Sequence, residues 1–465
     1  MRTYFGVDIN RIIIQTFKSQ NTSDQALVKK IRYYLSNMKK LIGLFIILFS
    51  ISNLSFAGDW PRWRGVEYDG KSQERGLLQE WPKEGPAQVW IKDDIGLGYS
   101  GPTISNGNIF IMGTNLGLTR GFSPDGKSSL PTVKELLFAK KVSNGENEWQ
   151  IEVGEVFNNH WGHGPRGSVT VDGEHIYALG TNGNLICANA KTGKVIWKRN
   201  LVIDYSGAVP KWGYTESPLI YKDLLICTPG GNDGTLAALD KNSGELKWRS
   251  TGWQDAAQYS SCIPAKINNK YQIVQLTQKS FAGVSADTGE LLWRSIWPGR
   301  VAVIPTPIVK GNQVYISSGY GVGCRRVTIK NGDVVVDYSN KNMKNHHGGV
   351  LLLDDNHLYG YSDQIGWVCQ DFDTGEIVWE SKELGKGSVF YADNRLYCVQ
   401  EKTGMVVLLD ASNEGYKEHG KFALNPKSEQ RQKAGGIWTH PVISDGKLYL
   451  RDQEKLFSFD IRKNN

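Results

Sequence analysis

The sequence predicts an all-β fold, an eight-bladed β-propeller with four-stranded antiparallel blades and a last blade completed by both ends of the chain. Three observations predict it. A phrase of eleven residues ending in Trp recurs, eight tight-turn signals separate short runs rich in Ile, Leu, Val and Tyr, and long amphipathic helical patterns are absent. A TIM barrel or a doubly wound sheet needs those helices.

The first 57 residues are set apart by charge. They hold eight Lys or Arg against two acids, so most of the net charge of +7 lies there and the remainder is close to neutral. Without a basic stripe to collect phosphates, nucleic acid is not an expected partner. Met38-Lys39-Lys40, the apolar run 41–51 and the small residues of Ser55-Phe56-Ala57 have the order of a secretory signal peptide. Met38 is the expected start and cleavage is expected after Ala57. The expected product is a monomer in the periplasm or the medium, with no transmembrane segment in its mature chain, because the apolar run falls short of the roughly 20 residues that a crossing takes. Residues 58–87 then form an N-terminal strap, and 88–465 the propeller.

The repeat occupies 187–197, 238–248, 283–293 and 369–379, with a weaker copy ending at Trp149. Trp149, Trp197, Trp248 and Trp293 are spaced by 48, 51 and 45 residues, and Trp379 follows after 86, two more units. This is the period of a blade of about 40 to 50 residues. Each unit carries a turn glycine (Gly193, Gly244, Gly289, Gly375), which supplies a left-handed conformation that costs other residues about 1 kcal/mol or more. Asp240 and Asp371 precede their glycines at the spacing of an Asx-turn, which pins the corner between the third and fourth strands. The Trp that ends each unit buries roughly 150–250 Å² against a neighbouring blade. These are scaffold residues, not ligand platforms.

Upstream of each copy lies a hairpin. Its turns are Asn106-Gly107, Asp172-Gly173, Lys222-Asp223, Asn268-Asn269, Lys310-Gly311, Asp354-Asp355, Asp393-Asn394 and Asp445-Gly446. The last unit stops at Asp460 without a Trp-bearing strand, whereas Gln88-Val89-Trp90 is such a strand without a hairpin. Together the two ends make one blade and remove both open edges. The six cysteines are isolated and are expected as small buried strand residues.

These repeats resemble the tryptophan-docking repeats of pyrroloquinoline quinone (PQQ)-type propellers, shared by quinoprotein dehydrogenases and the BamB lipoprotein of outer-membrane protein assembly. The strap, Asp59-Trp-Pro-Arg-Trp-Arg-Gly65 followed by Trp81-Pro82, looks like the start of an exported PQQ-like propeller. In the dehydrogenases the resemblance implies PQQ over a Trp, beneath a disulfide of adjacent cysteines and beside a calcium held by acidic and amide side chains. No adjacent cysteines occur here, and none of those catalytic residues maps onto this sequence. The lipoprotein is anchored through a Cys after its signal peptide, where this chain has Gly58.

In a propeller the segments entering the innermost strands face the central funnel. The ligand-binding candidates there are Tyr99, Trp161, His163, Arg166, Trp212, Tyr214, Glu216, Tyr259, His346, His347, Trp438 and His440. Aromatic faces beside Arg166 and Glu216 suit a sugar or flat ring held at its edge. His160-x-x-His163 with His346 and His347 does not fix a tetrahedral set, so no metal is expected. The expected function is a non-catalytic binding or scaffold module without a cofactor, for a protein or carbohydrate ligand. The alternatives are a PQQ- and calcium-dependent dehydrogenase of an alcohol or sugar, and a BamB-like assembly factor.

Overall fold

The computed structural model describes residues 58–115, 133–157 and 160–463; the expected leader and cleavage site lie outside them. Among the described residues no helix forms, and the strands pair into eight four-stranded antiparallel sheets arranged as a β-propeller. Blades 1 to 7 span 103–155, 170–200, 219–249, 263–296, 308–340, 350–381 and 387–423. Blade 8 combines 442–460 with Ala87–Lys92 from the N-terminal side. Ala87 pairs with Asp460 and Lys92 with Leu456, with a register shift between Gln88 and Trp90.

Every blade opens with a hairpin, and the turn chemistry sets its form. Asn106-Gly107, Asn268-Asn269, Asp393-Asn394 and Asp445-Gly446 have positive φ at both central residues, which matches the twist of the paired strands. In blades 2 and 5 the turn sits one residue later than the sequence suggests. Asp172 pairs with His175 and Lys310 with Gln313, which puts Gly173 and Gly311 first in the turn. In blade 6 a longer loop replaces the two-residue turn, and Asn356 takes the positive φ.

Blade-to-blade docking follows from the repeat. Indole Nε1 of Trp90 donates to Val142 O at 3.1 Å, Trp197 to Lys241 O at 3.0 Å and Trp379 to Ser412 O at 3.0 Å, each in the next blade. The Trp149 ring lies over Gly193, Trp197 over Gly244 and Trp248 over Gly289, so close that a Cβ on any of these glycines would meet the ring within 2.8 Å. In blade 5, which lacks the Trp, Tyr338 covers Gly375 instead. Trp293 differs: its Nε1 donates to Gln272 of its own blade at 2.6 Å, and its ring is buried among blade 4 and blade 5 residues. The carboxylates of Asp240 and Asp371 accept from Ser243 N and Thr374 N, closing their turns.

The inner strands are laced by hydroxyls. Thr103 Oγ1 donates to Val169 O, Ser260 Oγ to Pro305 O and Thr439 Oγ1 to Tyr99 O, each crossing from one blade to the next. The strap crosses the hairpin-turn side of the ring. Trp60 forms a bridge with Ile104, Pro61 O accepts from Val171 N, Lys71 forms a bridge with Tyr391, and Leu78 N donates to Ile461 O. Trp60, Leu77, Trp81 and Trp90 join the core cluster that seals blades 7, 8 and 1. All six cysteines are buried and unpaired.

Candidate functional site

The segments that enter the inner strands surround a cavity of about 440 Å³, within the roughly 300–1,000 Å³ usual for small-molecule sites. Nine of the twelve candidates line it: Tyr99, Trp161, Arg166, Trp212, Tyr259, His346, His347, Trp438 and His440. Tyr214, Glu216 and His163 do not. An extended chain alternates its side chains, so Thr215 and Ser217 face the cavity while Tyr214 and Glu216 turn into the blade. Tyr214 hydroxyl donates to Pro229 O at 3.1 Å, and the Glu216 carboxyl meets both N–H and Oγ1 of Thr228. His163 Nε2 lies 3.2 Å from Gln432 Nε2.

The strap supplies residues that the sequence reading did not place here. Trp63 lines the cavity, donates through Nε1 to Thr306 Oγ1 at 2.9 Å and meets the His440 ring edge-on at 4.8 Å. Arg64 is buried beside it and spends its guanidinium on the carbonyls of Tyr68, Asp69 and Val350. Two Trp and two Arg within Trp60-Pro-Arg-Trp-Arg64 were the available signal. Tyr320, Ser168, Ser217 and Ser261 complete the polar and aromatic lining.

Ring contacts join much of the wall. Tyr99 stacks on Trp438 at 4.9 Å, Trp438 lies 5.3 Å from His347, His347 4.4 Å from His346, and His346 4.6 Å from Tyr320. Trp212 and Tyr259 form a second group at 5.6 Å. The Arg166 guanidinium sits 4.8 Å from the Tyr99 ring centre, a cation–π distance.

The imidazoles are neutral at neutral pH. Burial, reinforced by the charge of Lys386, pulls His346 down to about 4; Asp363 opposes this. His347 lies well below its ordinary value through burial and then the neighbouring His346. His440 falls to about 4 through burial, against the raising effect of its bond to His347 O. The guanidiniums of Arg64 and Arg166 are therefore the formal charges in the lining among the described residues. No Asp, Glu, Asn or Gln is part of that lining. Among the described residues no group of three or more His, Cys, Asp or Glu is placed to hold a metal ion.

Glu216 gives a pH signature. Burial raises its carboxyl to about 7, although the Thr228 hydroxyl and N–H act to lower it. The folded protein holds this proton more tightly than the unfolded chain, so stability falls as pH rises from about 4.5 through 7. Glu216→Gln keeps the shape and removes the titration. Its stability relative to the parent is expected to rise across that window by up to about 3 kcal/mol. Urea unfolding of both proteins at pH 4.5 and pH 8 reads the difference, and an equal gap at the two pH values would refute it.

The family model described as "Outer membrane protein assembly factor BamB" matches residues 134–381, more than half of the chain. The chain belongs to that family. Among its relatives, the BamB assembly factor of Shewanella oneidensis is 24% identical over 74% of this chain and 95% of its own length. The Yersinia pestis BamB assembly factor is 21% identical over 68% and 78%. A polyvinylalcohol dehydrogenase of Sphingopyxis sp. (strain 113P3) is 23% identical over 64% of this chain, which spans about half (51%) of that enzyme. In solved structures the fold recurs in BamB of Moraxella catarrhalis, with TM-score 0.54, 16% identity, and coverage of 81% of this chain and 99% of that one. It recurs in the quinohemoprotein alcohol dehydrogenase of Comamonas testosteroni, with TM-score 0.57, 12% identity, and coverage of 90% and 82%. The BamB family match falls on blades 1 to 6; Ala87–Lys92 and the strap residues Trp63 and Arg64 lie outside it.

Proposed function

We propose that this chain is an exported, non-catalytic binding propeller that holds a small carbohydrate-like ligand in its funnel. The observation that carries the reading is the cavity lining: aromatic faces, hydroxyls and guanidinium, with neutral imidazoles and no carboxylate. Such a surface stacks on a ring and bonds its edge, and it turns no carboxylate toward the ligand; Glu401 sits behind the lining, 3.2 Å from His347 Nε2. Export is supported by the signal-peptide order of 38–57 and by relatives named as outer-membrane assembly factors.

A calcium-held quinone suits this lining poorly. Calcium takes six to eight oxygen ligands, mostly carboxylates and carbonyls, and the lining contributes no carboxylate or carboxamide. A thermal-shift screen tests the reading. Glycans are expected to raise the melting temperature, with about 2.7 kcal/mol of added stability at 100 times Kd. PQQ with Ca²⁺ is expected to leave it unchanged, and dye-linked alcohol oxidation after reconstitution is expected to stay silent. A shift with PQQ and Ca²⁺ together with oxidation would replace the reading with a dehydrogenase.

The BamB family match favours a second reading, an assembly factor that binds protein at the same face. Its mark would be copurification with outer-membrane assembly proteins that survives changes inside the funnel.

A further inference from the structure

The least satisfied group in the funnel is a cation. Arg166 Nη2 donates to Gly162 O at 3.1 Å, whereas Nη1 is buried and has no partner among the described residues. The lining around it holds no carboxylate, and the buried Glu135 carboxyl, which acts on its charge, stands outside that lining and bonds Thr181. A buried N–H of a charged group that bonds nothing carries an uncompensated desolvation cost, which an incoming anion recovers. Arg64 is the second guanidinium of the lining, and three carbonyls hold its Nε and Nη2.

Hydroxyls stand in a row nearby. Ser168, Ser217 and Ser261 come from the segments entering three successive blades and all line the cavity. Ser168 N donates to Ser217 Oγ at 2.9 Å and Ser217 N to Ser261 Oγ at 2.9 Å. These bonds fix the hydroxyl oxygens of Ser217 and Ser261 as acceptors and leave each O–H to donate. The third element is the Tyr99–Trp438 stack, with the Arg166 guanidinium over the Tyr99 ring.

A ligand that answers all three has a ring with an apolar face, a carboxylate and several hydroxyls. We propose that the funnel binds a carboxylated sugar, a uronic-acid residue free or at the end of a chain, with its carboxylate on Arg166 Nη1 and its hydroxyls on the Ser217 and Ser261 side chains. A flat aromatic acid would leave the serine donors unmatched. A phosphate asks for several donors at once, and Arg166 offers it a single unpartnered nitrogen. The inference rests on the binding reading above and narrows its ligand class.

Titration calorimetry at pH 7 with three probes tests it: digalacturonate, lactose as an uncharged counterpart, and benzoate as a carboxylate without hydroxyls. Digalacturonate is expected to bind at least tenfold more tightly than either. Arg166→Gln is expected to erase the margin over lactose, and Ser217→Ala to weaken both sugars while leaving benzoate unchanged. If Arg166→Gln does not fold, the margins of the parent protein still decide. Lactose binding as tightly as digalacturonate, benzoate binding most tightly, or no binding of the three would each overturn the inference. In the first case the funnel would remain a carbohydrate site, so the broader reading would stand; in the second it would bind an aromatic acid and both readings would fall.

Discussion

A chain that begins at Asp93 is expected not to close the ring. It lacks the strand Ala87–Lys92, which is the outer strand of blade 8, so the edge at Lys455–Asp460 is left open. It also lacks Trp60, Trp81 and Trp90, each less than a tenth exposed in the folded protein. Removing a buried Trp side chain typically costs about 3–5 kcal/mol, so three together reach the 5–15 kcal/mol of net stability of an ordinary domain. Gel filtration and near-ultraviolet circular dichroism should show an aggregated chain without fixed aromatic packing. A peptide of residues 58–92 supplied during refolding is expected to restore a monomer, since ring and strap meet through strand pairing and burial rather than covalent continuity. A truncated chain that folds unaided would show that the seam is dispensable.

Arg451→Met is the point substitution with the largest expected effect. Arg451 is fully buried in blade 8 and reaches across the seam to Ser100 O at 2.9 Å and Met112 O at 2.6 Å, with further bonds to Gly96 O and Gln453 O. Its side chain holds the loop before blade 1 against the last hairpin. Methionine fills similar volume but leaves four carbonyls without these donors, each a loss of about 1–3 kcal/mol unless water enters. The expected cost is about 3–5 kcal/mol, read as the shift in urea midpoint. Arg462→Met provides the contrast: its pair with Asp460 lies at the surface, where water screens it, so a much smaller shift is expected. Equal shifts for the two variants would remove the special role of the seam arginine.

The scaffold was legible because its code is local. Glycine, Asx residue and Trp sit within eleven residues, and each acts on its own turn or on the adjoining blade. Where the code is not local, the reading slipped. Trp293 looks like its siblings in sequence, yet Gln272, two strands inward, captures its indole within the same blade. The turns at Gly173 and Gly311 moved by one residue because glycine, not the preceding Asp or Lys, takes the left-handed position.

The candidate site was legible to the level of the segment. The blade-entry segments did come together, but within Trp212-Gly-Tyr-Thr-Glu216 the alternation of an extended chain decides which side chains see the cavity. It selected Trp212 and Thr215 and turned Tyr214 and Glu216 away. Trp63 and Arg64 were missed for a different reason. Their place depends on the path of a strap that touches blades 1, 2, 3, 6, 7 and 8, and no periodicity encodes such a path.

The funnel as a small-molecule site is tested most directly by native mass spectrometry of the protein purified from its own host, beside a Trp438→Ala variant that loses the Tyr99 stack. A bound small molecule on the parent protein and its absence from the variant is the expected result. A parent protein that carries only protein subunits, retained equally by the variant, would contradict it.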